Sequence, residues 1–285
     1  MNSIGVIGNG FVGSAVVYAF KQDCDVKIYD VDVNRSTSTF ESTIDQDIIF
    51  ICLPTPMVDV EGGECNLSIV ESAFDKIAES NRRKDNIFVI KSTVPIGSTK
   101  IFTKKYPTLN IVHSPEFLTA KNAKIDFITA SRHIVGVPFY DGNANQYSKL
   151  VNLYTKRFQG SLILTMDSDE SEFVKYACNC YFATKVSYFN EIKLLADRLG
   201  LDWQLVMDGV LSDGRIAKSH TSVPGHDGDK GFGGTCFPKD INSMIHIMES
   251  YNLDPMLLKA AWEQNKNVRT NWDWAKSKSA VMPKI

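Results

Sequence analysis

Short apolar runs rich in valine and isoleucine recur along the first part of the chain, and amphipathic stretches separate them. Runs this short, ended by polar or turn residues, are typical of strands that are buried on both faces. Seven strands are predicted in this way, at residues 4–7, 26–29, 48–53, 87–90, 111–113, 134–137 and 162–164. Helical periodicity predicts helices between them, at residues 11–21, 67–80, 98–106 and 145–158. Because strands and helices alternate, residues 1–168 are expected to form a doubly wound α/β domain with a parallel sheet.

The pattern changes at Asp169. Residues 169–199 contain neither proline nor glycine and keep apolar residues at helical spacing, which predicts one long connecting helix. Further helices are predicted at residues 203–211, 240–251 and 255–274, with a glycine-rich loop at 226–234. Residues 200–285 are therefore expected to form a second, smaller, all-helical domain.

Composition adds mainly exclusions. The 31 basic and 33 acidic side chains leave a formal charge of −2, and no block of like charge indicates a nucleic-acid surface. No run of about 18 apolar residues offers a membrane span, and the first residues do not read as a leader peptide. The six cysteines form no C-x-x-C pair and the five histidines do not cluster with them, so no metal site is expected. We expect a cytoplasmic protein without nucleic-acid or membrane partners.

The first strand leads into a glycine-rich motif, G-x-G-x-x-G, which opens a helix. Its members are Gly8, Asn9, Gly10, Phe11, Val12 and Gly13. In such a motif the first glycine makes a tight turn, the second lets a pyrophosphate approach the backbone, and the third lets helix and strand pack closely. The strand before it, the helix after it and an acidic residue, Asp30, at the end of the next strand together predict a Rossmann-type dinucleotide site.

Asp30 bears on the choice of cofactor. A carboxylate at this position can accept the ribose hydroxyls of the adenosine half, and its charge repels a 2′-phosphate, which favours NAD over NADP. Arg35 leaves an alternative open, because its guanidinium could neutralise a 2′-phosphate, hold the NAD pyrophosphate or face solvent.

Three further segments follow predicted strands, at residues 53–56 (with Pro54 and Thr55), 91–97 (with Thr93) and 114–118 (with Glu116). Ligands of open α/β sheets bind at the carboxyl ends of strands, so these segments are expected to border the site. Glu116 is a candidate acid or base, although a carboxylate on a turn can also be a simple cap.

The second half of the chain contributes a possible oxyanion site and a thiol. Lys175 and Asn179 are four residues apart on the long helix and share a face, although this spacing also suits a surface lysine beside an asparagine. Cys236 lies in the run G-F-G-G-T-C-F-P-K-D at 231–240, just before a predicted helix. The helix dipole and Lys239 are expected to lower the pKa of this thiol, which favours a reactive residue over a buried inert one.

These segments, in this order, resemble the UDP-glucose/GDP-mannose dehydrogenase family across almost the whole chain. The motifs are at residues 8–13, 53–56, 91–97, 114–118, 175 with 179, 188–191 and 231–240. The resemblance implies that the chain oxidises a sugar hydroxymethyl to a carboxylate with two molecules of NAD, with UDP-glucose as the first-choice substrate.

The resemblance also implies residue roles. Asp240, Lys175 and a water near Thr93 deprotonate the hydroxyl, Cys236 forms a thiohemiacetal and then a thioester, Lys175 and Asn179 stabilise oxyanions, and Glu116 activates the hydrolytic water. Cofactor contacts are expected from the glycine motif, Asp30, Arg35, Pro54, Thr55, Thr93 and Lys239. Substrate contacts are expected from Glu116, Phe117, Leu118, Lys175, Asn179, Phe232, Gly233, Gly234 and Cys236. Arg215 is expected to reach the nucleotide sugar of a neighbouring subunit, which implies a homodimer joined through the helical domain.

The chain departs from the family pattern in three ways. A third domain that binds the substrate nucleotide is not among the 285 residues, so most nucleotide contacts are expected to be absent. Only 17 positions separate Asp30 from Asp47, so a helix and loop near the adenine are expected to be lost. Ala120 stands where members commonly carry a second glutamate, which leaves two alternatives open: Asp126 or a water substitutes for it, or the proton relay is impaired.

Two alternative functions stay open. A one-step NAD-dependent dehydrogenase of a small 3-hydroxyacid also combines a Rossmann domain with a helical domain, but it has no cysteine loop. A nucleotide-sugar-binding subunit that needs a partner chain is the second alternative. The sequence does not distinguish glucose, N-acetylmannosamine and mannose substrates.

Overall fold

A computed structural model describes residues 3–140 and 147–282, and these form two compact units. The first unit comprises Met1–Thr55 and Leu67–Lys175, and the second comprises Pro56–Asn66 and Tyr176–Ile285. The strands are β1 (Ser3–Ile7), β2 (Asp25–Tyr29), β3 (Ile48–Ile51), β4 (Met57–Asp59), β5 (Gly62–Cys65), β6 (Ile87–Ile90), β7 (Asn110–His113), β8 (Arg132–Val137) and β9 (Leu162–Asp167). The helices are α1 (Phe11–Phe20), α2 (Phe40–Ile44), α3 (Ser68–Ser80), α4 (Ser98–Lys105), α5 (Ala123–Ile128), α6 (Ser148–Arg157), α7 (Ser168–Arg198), α8 (Trp203–Leu211), α9 (Phe237–Ser250) and α10 (Met256–Val268).

The first unit is built on a seven-stranded sheet in the order β2-β1-β3-β6-β7-β8-β9. Alternate residues of one strand enter different cores: Ile48 and Phe50 of β3 pack on one side, while Ile49 and Ile51 pack on the other. The first core includes α1, α5 and α6, and the second includes α3 and α4. This burial on both faces explains why the strands are continuous apolar runs. The α/β fold predicted from the sequence is confirmed, and all seven predicted strands are present.

Strand order reverses direction at β1. The chain goes from β1 to its neighbour β2, and β3 then pairs with the opposite edge of β1. Such a switch point leaves a crevice at the carboxyl ends of the two central strands, where ligands of open α/β sheets bind. The glycine motif begins at this end of β1.

The sheet is parallel, as predicted, except at β8, which pairs with β7 in the antiparallel direction through His113 and Gly136. The connection between these two strands contains the short helix α5.

The region between Asp30 and Asp47, from which a helix was expected to be lost, keeps a 3-10 turn at Val33–Arg35 and the short helix α2. The first two residues of the predicted helix at 145–158 lie outside the described residues, and the remainder forms α6.

The second unit also contains the antiparallel hairpin β4–β5, which lies at residues 57–65, well before the stretch 200–285 that is predicted to be all-helical. Two tryptophans hold the hairpin: the indole N–H of Trp262 donates to the Glu61 carbonyl at 3.0 Å, and that of Trp274 donates to the Val60 carbonyl at 3.2 Å. Their rings join a core formed with α7, α9 and α10. The predicted functional domains, 1–168, 169–199 and 200–285, stay a proposal, whereas the compact units change at Lys175 within α7.

The helix predicted at 255–274 is too long. It ends at Val268, and a separate 3-10 turn follows at Asp273–Lys276. The physical reason lies in two side chains: Arg269 leaves the helix to bind Asp227 at 2.6 Å, and the Asp229 carboxylate accepts the backbone N–H groups of Thr270 and Asn271. These bonds replace the helical ones that the segment would otherwise make.

Candidate active site

The turn between β1 and α1 has the geometry of a dinucleotide cradle. A Cβ atom on Gly8, which has a φ of +90°, would collide with the carbonyl of Cys52, and one on Gly13 would collide with the carbonyl of Gly8. A Cβ atom on Gly10 would meet no atom within 4 Å. Gly8 and Gly13 are therefore needed by the fold itself, while Gly10 leaves open space at the start of α1.

That open space suits a diphosphate. Among the described residues no side chain caps α1, and its first turn contains no acidic residue. The backbone N–H groups there are available to an anion, which the helix dipole also favours. The residues present fit the pyrophosphate of NAD.

Asp30 is held at the end of β2 by the backbone. Its carboxylate accepts the N–H of Asn9 at 2.6 Å and the N–H of Asp32 at 2.9 Å. The second lone pairs of both oxygens are available for ribose hydroxyls. Arg35 is largely exposed and pairs with Asp32 at 3.4 Å, so its charge is directed to a different carboxylate.

The segments that follow β3 and β6 are tied to each other. The Ser92 hydroxyl accepts the Leu53 N–H at 3.0 Å and donates to the Leu53 carbonyl at 2.6 Å. The Thr55 hydroxyl donates to the Thr93 carbonyl at 2.7 Å, and both threonines are buried. Pro54 and Thr93 thus stand on a rigid edge of the sheet, as predicted for strand ends that border a ligand.

Glu116 and Lys175 form a buried ion pair. The Lys175 ammonium donates to Oε1 of Glu116 at 2.9 Å and to the Glu116 carbonyl at 2.7 Å, and Oε2 accepts the Leu118 N–H at 2.6 Å. Burial raises the pKa of the Glu116 carboxyl, but the charges of Lys175 and Lys91 and the N–H of Leu118 outweigh burial and hold this pKa below its usual range. Glu116 is therefore a carboxylate, which can accept a proton.

The ring of Phe117 lies beside this ion pair, 5.6 Å from the Lys175 ammonium and 4.4 Å from the guanidinium of Arg132. Lys91 lies on the other side and is fully buried. It donates to the Pro115 carbonyl at 3.1 Å, and burial lowers its pKa to about 8. The segment 114–118 is therefore fixed by contacts on both sides of Glu116.

The second unit holds a separate cluster around Asp240. The Asn179 amide donates to Oδ2 of Asp240 at 2.6 Å, and the Lys239 ammonium donates to Oδ1. Burial alone would lower the pKa of Lys239, but the charges of Asp240, Cys236 and Cys65 raise it above its usual value. Lys239, predicted as a cofactor contact, is thus a cation paired with Asp240.

Cys236 occupies the N-cap position of α9, directly before Phe237. No side chain caps this helix among the residues described, so its first N–H groups face the N-cap region. A helix N-terminus with a lysine close by stabilises a thiolate. Cys236, Lys239 and Asp240 thus lie together at the start of α9, and their roles stay a prediction.

The glycine-rich run before Cys236 is held by buried amides. Asn190 accepts the Gly231 N–H at 3.0 Å, and Asn265 binds both the N–H of Phe232, at 2.6 Å, and its carbonyl, at 3.0 Å. Gly231 has a φ of +68°, and a Cβ atom there would collide with Asn265. The Gly234 N–H donates to Asp273 at 3.0 Å. The loop that contains Phe232, Gly233 and Gly234 is therefore rigid.

The predicted site residues thus fall into two sets, one in each unit. Arg215 belongs to neither: it is 90% exposed and pairs with Asp213 at 2.6 Å. Sequence reasoning missed Asn265 and Arg269 as supports of the cysteine loop. A signal was present, because both polar residues continue the spacing of the buried Ala261 and Trp262 on α10.

Comparison with known proteins agrees with the geometry. Residues 35–157 match the NAD binding domain of the UDP-glucose/GDP-mannose dehydrogenase family, and residues 169–267 match the central domain of that family. The first match confirms the prediction of NAD as the cofactor. The described residues contain no helix long and apolar enough to cross a membrane and no group of side chains suited to a metal ion.

Individual relatives lead to the same family. A UDP-glucose 6-dehydrogenase of Rickettsia typhi is 34% identical over 77% of this chain and 49% of its own length. One from Campylobacter jejuni is 30% identical over 92% of this chain and 71% of its own length. A UDP-glucose dehydrogenase structure from Pyrobaculum islandicum superposes with a TM-score of 0.81 at 28% identity, covering 94% of this chain and 68% of that one. This chain spans about half the length of several of the curated relatives that it matches.

Proposed function

Because this chain belongs to the UDP-glucose/GDP-mannose dehydrogenase family, we propose that it oxidises the C6 hydroxymethyl of a nucleotide sugar to a carboxylate. UDP-glucose, with UDP-glucuronate as the product, is the first-choice substrate. A similar protein sequence and a similar solved structure are both named as dehydrogenases of UDP-glucose. NAD, when bound, supplies the hydride acceptor for both oxidations.

The observation that carries the proposal is the position of Cys236. It stands at the N-terminus of α9, three residues before Lys239, whose ammonium pairs with Asp240. A four-electron oxidation in one site needs a covalent hold on the aldehyde, and a thiolate is the side chain best suited to provide it.

The first oxidation needs a base for the C6 hydroxyl. We assign this step to Asp240 and Lys175 with a water near Thr93. Asp240 is buried and its two oxygens are fixed by Asn179 and Lys239, so the carboxyl group is held in one position for accepting a proton.

The second oxidation proceeds on Cys236. Its thiolate adds to the aldehyde carbon, and the carbonyl oxygen becomes an oxyanion that the Lys175 ammonium and the Asn179 amide stabilise. The protonated adduct is a thiohemiacetal, and loss of a hydride and a proton turns it into a thioester. Glu116 takes a proton from water, the water oxygen attacks the thioester carbon, and the carbon–sulfur bond breaks. This step releases the Cys236 thiolate and a carboxylic acid, which loses its proton to solvent.

The homodimer is also a proposal. Helix α7 and the residue that follows it expose four large apolar side chains, which we call the apolar stripe: Tyr181, Tyr188, Leu195 and Leu199. Successive members are seven, seven and four residues apart, so they share one helix face. We infer that a second copy covers this face, and that Arg215 serves a partner's nucleotide sugar. A cytoplasmic location stays a prediction.

Replacing Cys236 with serine tests the function. We expect NADH formation from UDP-glucose to fall at least about a hundredfold, because serine adds to aldehydes poorly at this site. Cys24→Ser, a thiol of the first unit, is the matched control and should keep its activity.

A Cys236→Ser variant with most of its turnover would support a one-step dehydrogenase of a 3-hydroxyacid. A wild-type chain that makes NADH only after a partner chain is added would support the subunit alternative.

A further inference from the structure

Helix α7 begins with a buried carboxylate that the proposed chemistry does not use. Glu172 is fully buried, and its Oε1 accepts the Thr99 N–H at 2.8 Å and the Thr99 hydroxyl at 2.6 Å. Its Oε2 accepts the Gly97 N–H at 2.6 Å. Three donors within the first unit thus converge on one side chain that is 73 to 75 residues away in sequence.

These bonds close the N-terminus of α4. Gly97 is the N-cap residue, has a φ of +92° and brings no side chain to cap the helix. Glu172 supplies the missing cap from another helix. Burial raises the pKa of its carboxyl to about 7, although the hydrogen bonds from Thr99 and Gly97 favour the ionised form. A second clamp lies beside it: Lys100 of α4 binds Asp167 at 2.7 Å and Asp169 at 2.9 Å.

The loop between β6 and α4, residues 91–97, is therefore fixed at both ends. Ser92 and Thr93 are tied to the segment after β3, as described above, and Gly97 is tied to Glu172. Thr93 lies inside this loop. On α7, Lys175 follows Glu172 by three residues, and both side chains are buried in the first unit.

We propose that Glu172 is a positioning residue. It holds residues 91–97, the loop that contains Thr93, at a fixed position relative to the turn of α7 that carries Lys175. The inference rests on the proposed function, in which Thr93 holds the reactive water and contacts the cofactor. A glutamine of the same size has one acceptor oxygen in place of two, so it would release either Gly97 or Thr99 and let the loop shift. Small shifts of positioned groups are costly in catalysis.

The test compares Glu172→Gln with Glu170→Gln, which makes the same replacement two residues earlier on α7 at an exposed position. We expect Glu172→Gln to lower kcat about tenfold and to weaken NADH binding about fivefold, with an unchanged KM for the nucleotide sugar. Its melting temperature should stay within a few degrees of that of the control. Glu172→Asp, which keeps both oxygens on a shorter stem, should lie between wild type and Glu172→Gln.

A merely structural role gives a different result: part of the protein unfolds and kcat falls, but the Kd for NADH of the folded fraction does not change. That outcome, or equal kcat and Kd values in the two glutamine variants, would overturn the proposal. If the wild type oxidises no nucleotide sugar, the proposed function is wrong, but the positioning role of Glu172 can still be tested. In that case the comparison of the Kd for NADH between the two glutamine variants supports or refutes it.

Discussion

Glu116 lies between two buried lysines, and this excess of positive charge decides its state. The first unit surrounds one carboxylate with the ammonium groups of Lys175 and Lys91, so the pKa of Glu116 stays below its usual range despite burial. A carboxyl group that must accept a proton from water needs to be ionised at neutral pH. The same charges stabilise an oxyanion formed close to Lys175.

Burial also affects the histidines. His133 is 4% exposed, its ring stacks on Phe158 with a centroid distance of 3.9 Å, and its Nε2 has no hydrogen-bond partner in the described chain. Burial lowers its pKa to about 3. The unfolded chain therefore binds a proton between pH 6.5 and about 3 that the folded chain does not, and stability falls as the pH falls through this window.

We predict that His133→Phe reduces the acid sensitivity of the fold, since phenylalanine keeps the ring and removes the titration. The melting temperature of the wild type should drop from pH 7.5 to pH 5, and that of the variant should drop less, as measured by circular dichroism. His246→Gln, at a half-exposed position, should behave like the wild type. Equal slopes for His133→Phe and wild type would contradict the assignment.

At this scale the sequence indicates candidate reactive residues but not the residues that support them. The cysteine loop and the pair Lys175 and Asn179 have recognisable local spacing. Glu172 could not be assigned, because its partners Gly97 and Thr99 are distant in the chain and no local pattern links them. Its position on the buried face of α7 was the only available signal.

At the level of elements, the glycines in the turn between β1 and α1 serve different purposes, some for folding and one for cofactor binding. A Cβ atom fits at Gly10, which has a φ of −79°, but not at Gly13, where it meets the Gly8 carbonyl. We predict that Gly10→Ala keeps the melting temperature of the wild type and weakens NADH binding about tenfold or more, because the methyl group occupies the space of the pyrophosphate.

Gly13→Ala is the companion variant. It should weaken binding and also destabilise the protein by about 1–3 kcal/mol, because helix and strand must separate. Thermal unfolding and NADH fluorescence titrations distinguish the two effects. A Gly10→Ala variant that binds NADH as tightly as the wild type would show that the phosphates lie elsewhere.

Helices and strands were predictable where one pattern of apolar residues continues along the whole element. The strands buried on both faces and the helix α7 meet this condition. The hairpin β4–β5 was missed because its strands have only three and four residues, and glycine and acidic residues dominate them. Its stability comes from Trp262 and Trp274, which no local pattern reveals. The end of α10 was misjudged for a similar reason, since Arg269 pairs with Asp227, which is 42 residues away in the chain.

For the whole molecule, the apolar stripe on α7 predicts a homodimer. Tyr181, Tyr188, Leu195 and Leu199 are each more than half exposed. Contiguous exposed apolar surface of this kind is typical of an interaction site. We predict that sedimentation of the wild type gives twice the mass of one chain, and that Leu195→Glu gives monomers.

Leu253→Glu, at an exposed leucine between α9 and α10, is the control and should remain dimeric. A wild-type monomer, or a Leu195→Glu dimer as stable as the control, would refute this interface.

The central claim is a two-step oxidation through Cys236, and the most direct test is the ratio of NADH formed to nucleotide sugar consumed. The purified 285-residue chain should be given NAD with UDP-glucose, UDP-N-acetylmannosamine, GDP-mannose or small 3-hydroxyacids in turn. We predict two NADH for each UDP-glucose consumed, with the carboxylate as the product. One NADH for each 3-hydroxyacid, without oxidation of any nucleotide sugar, would contradict the account.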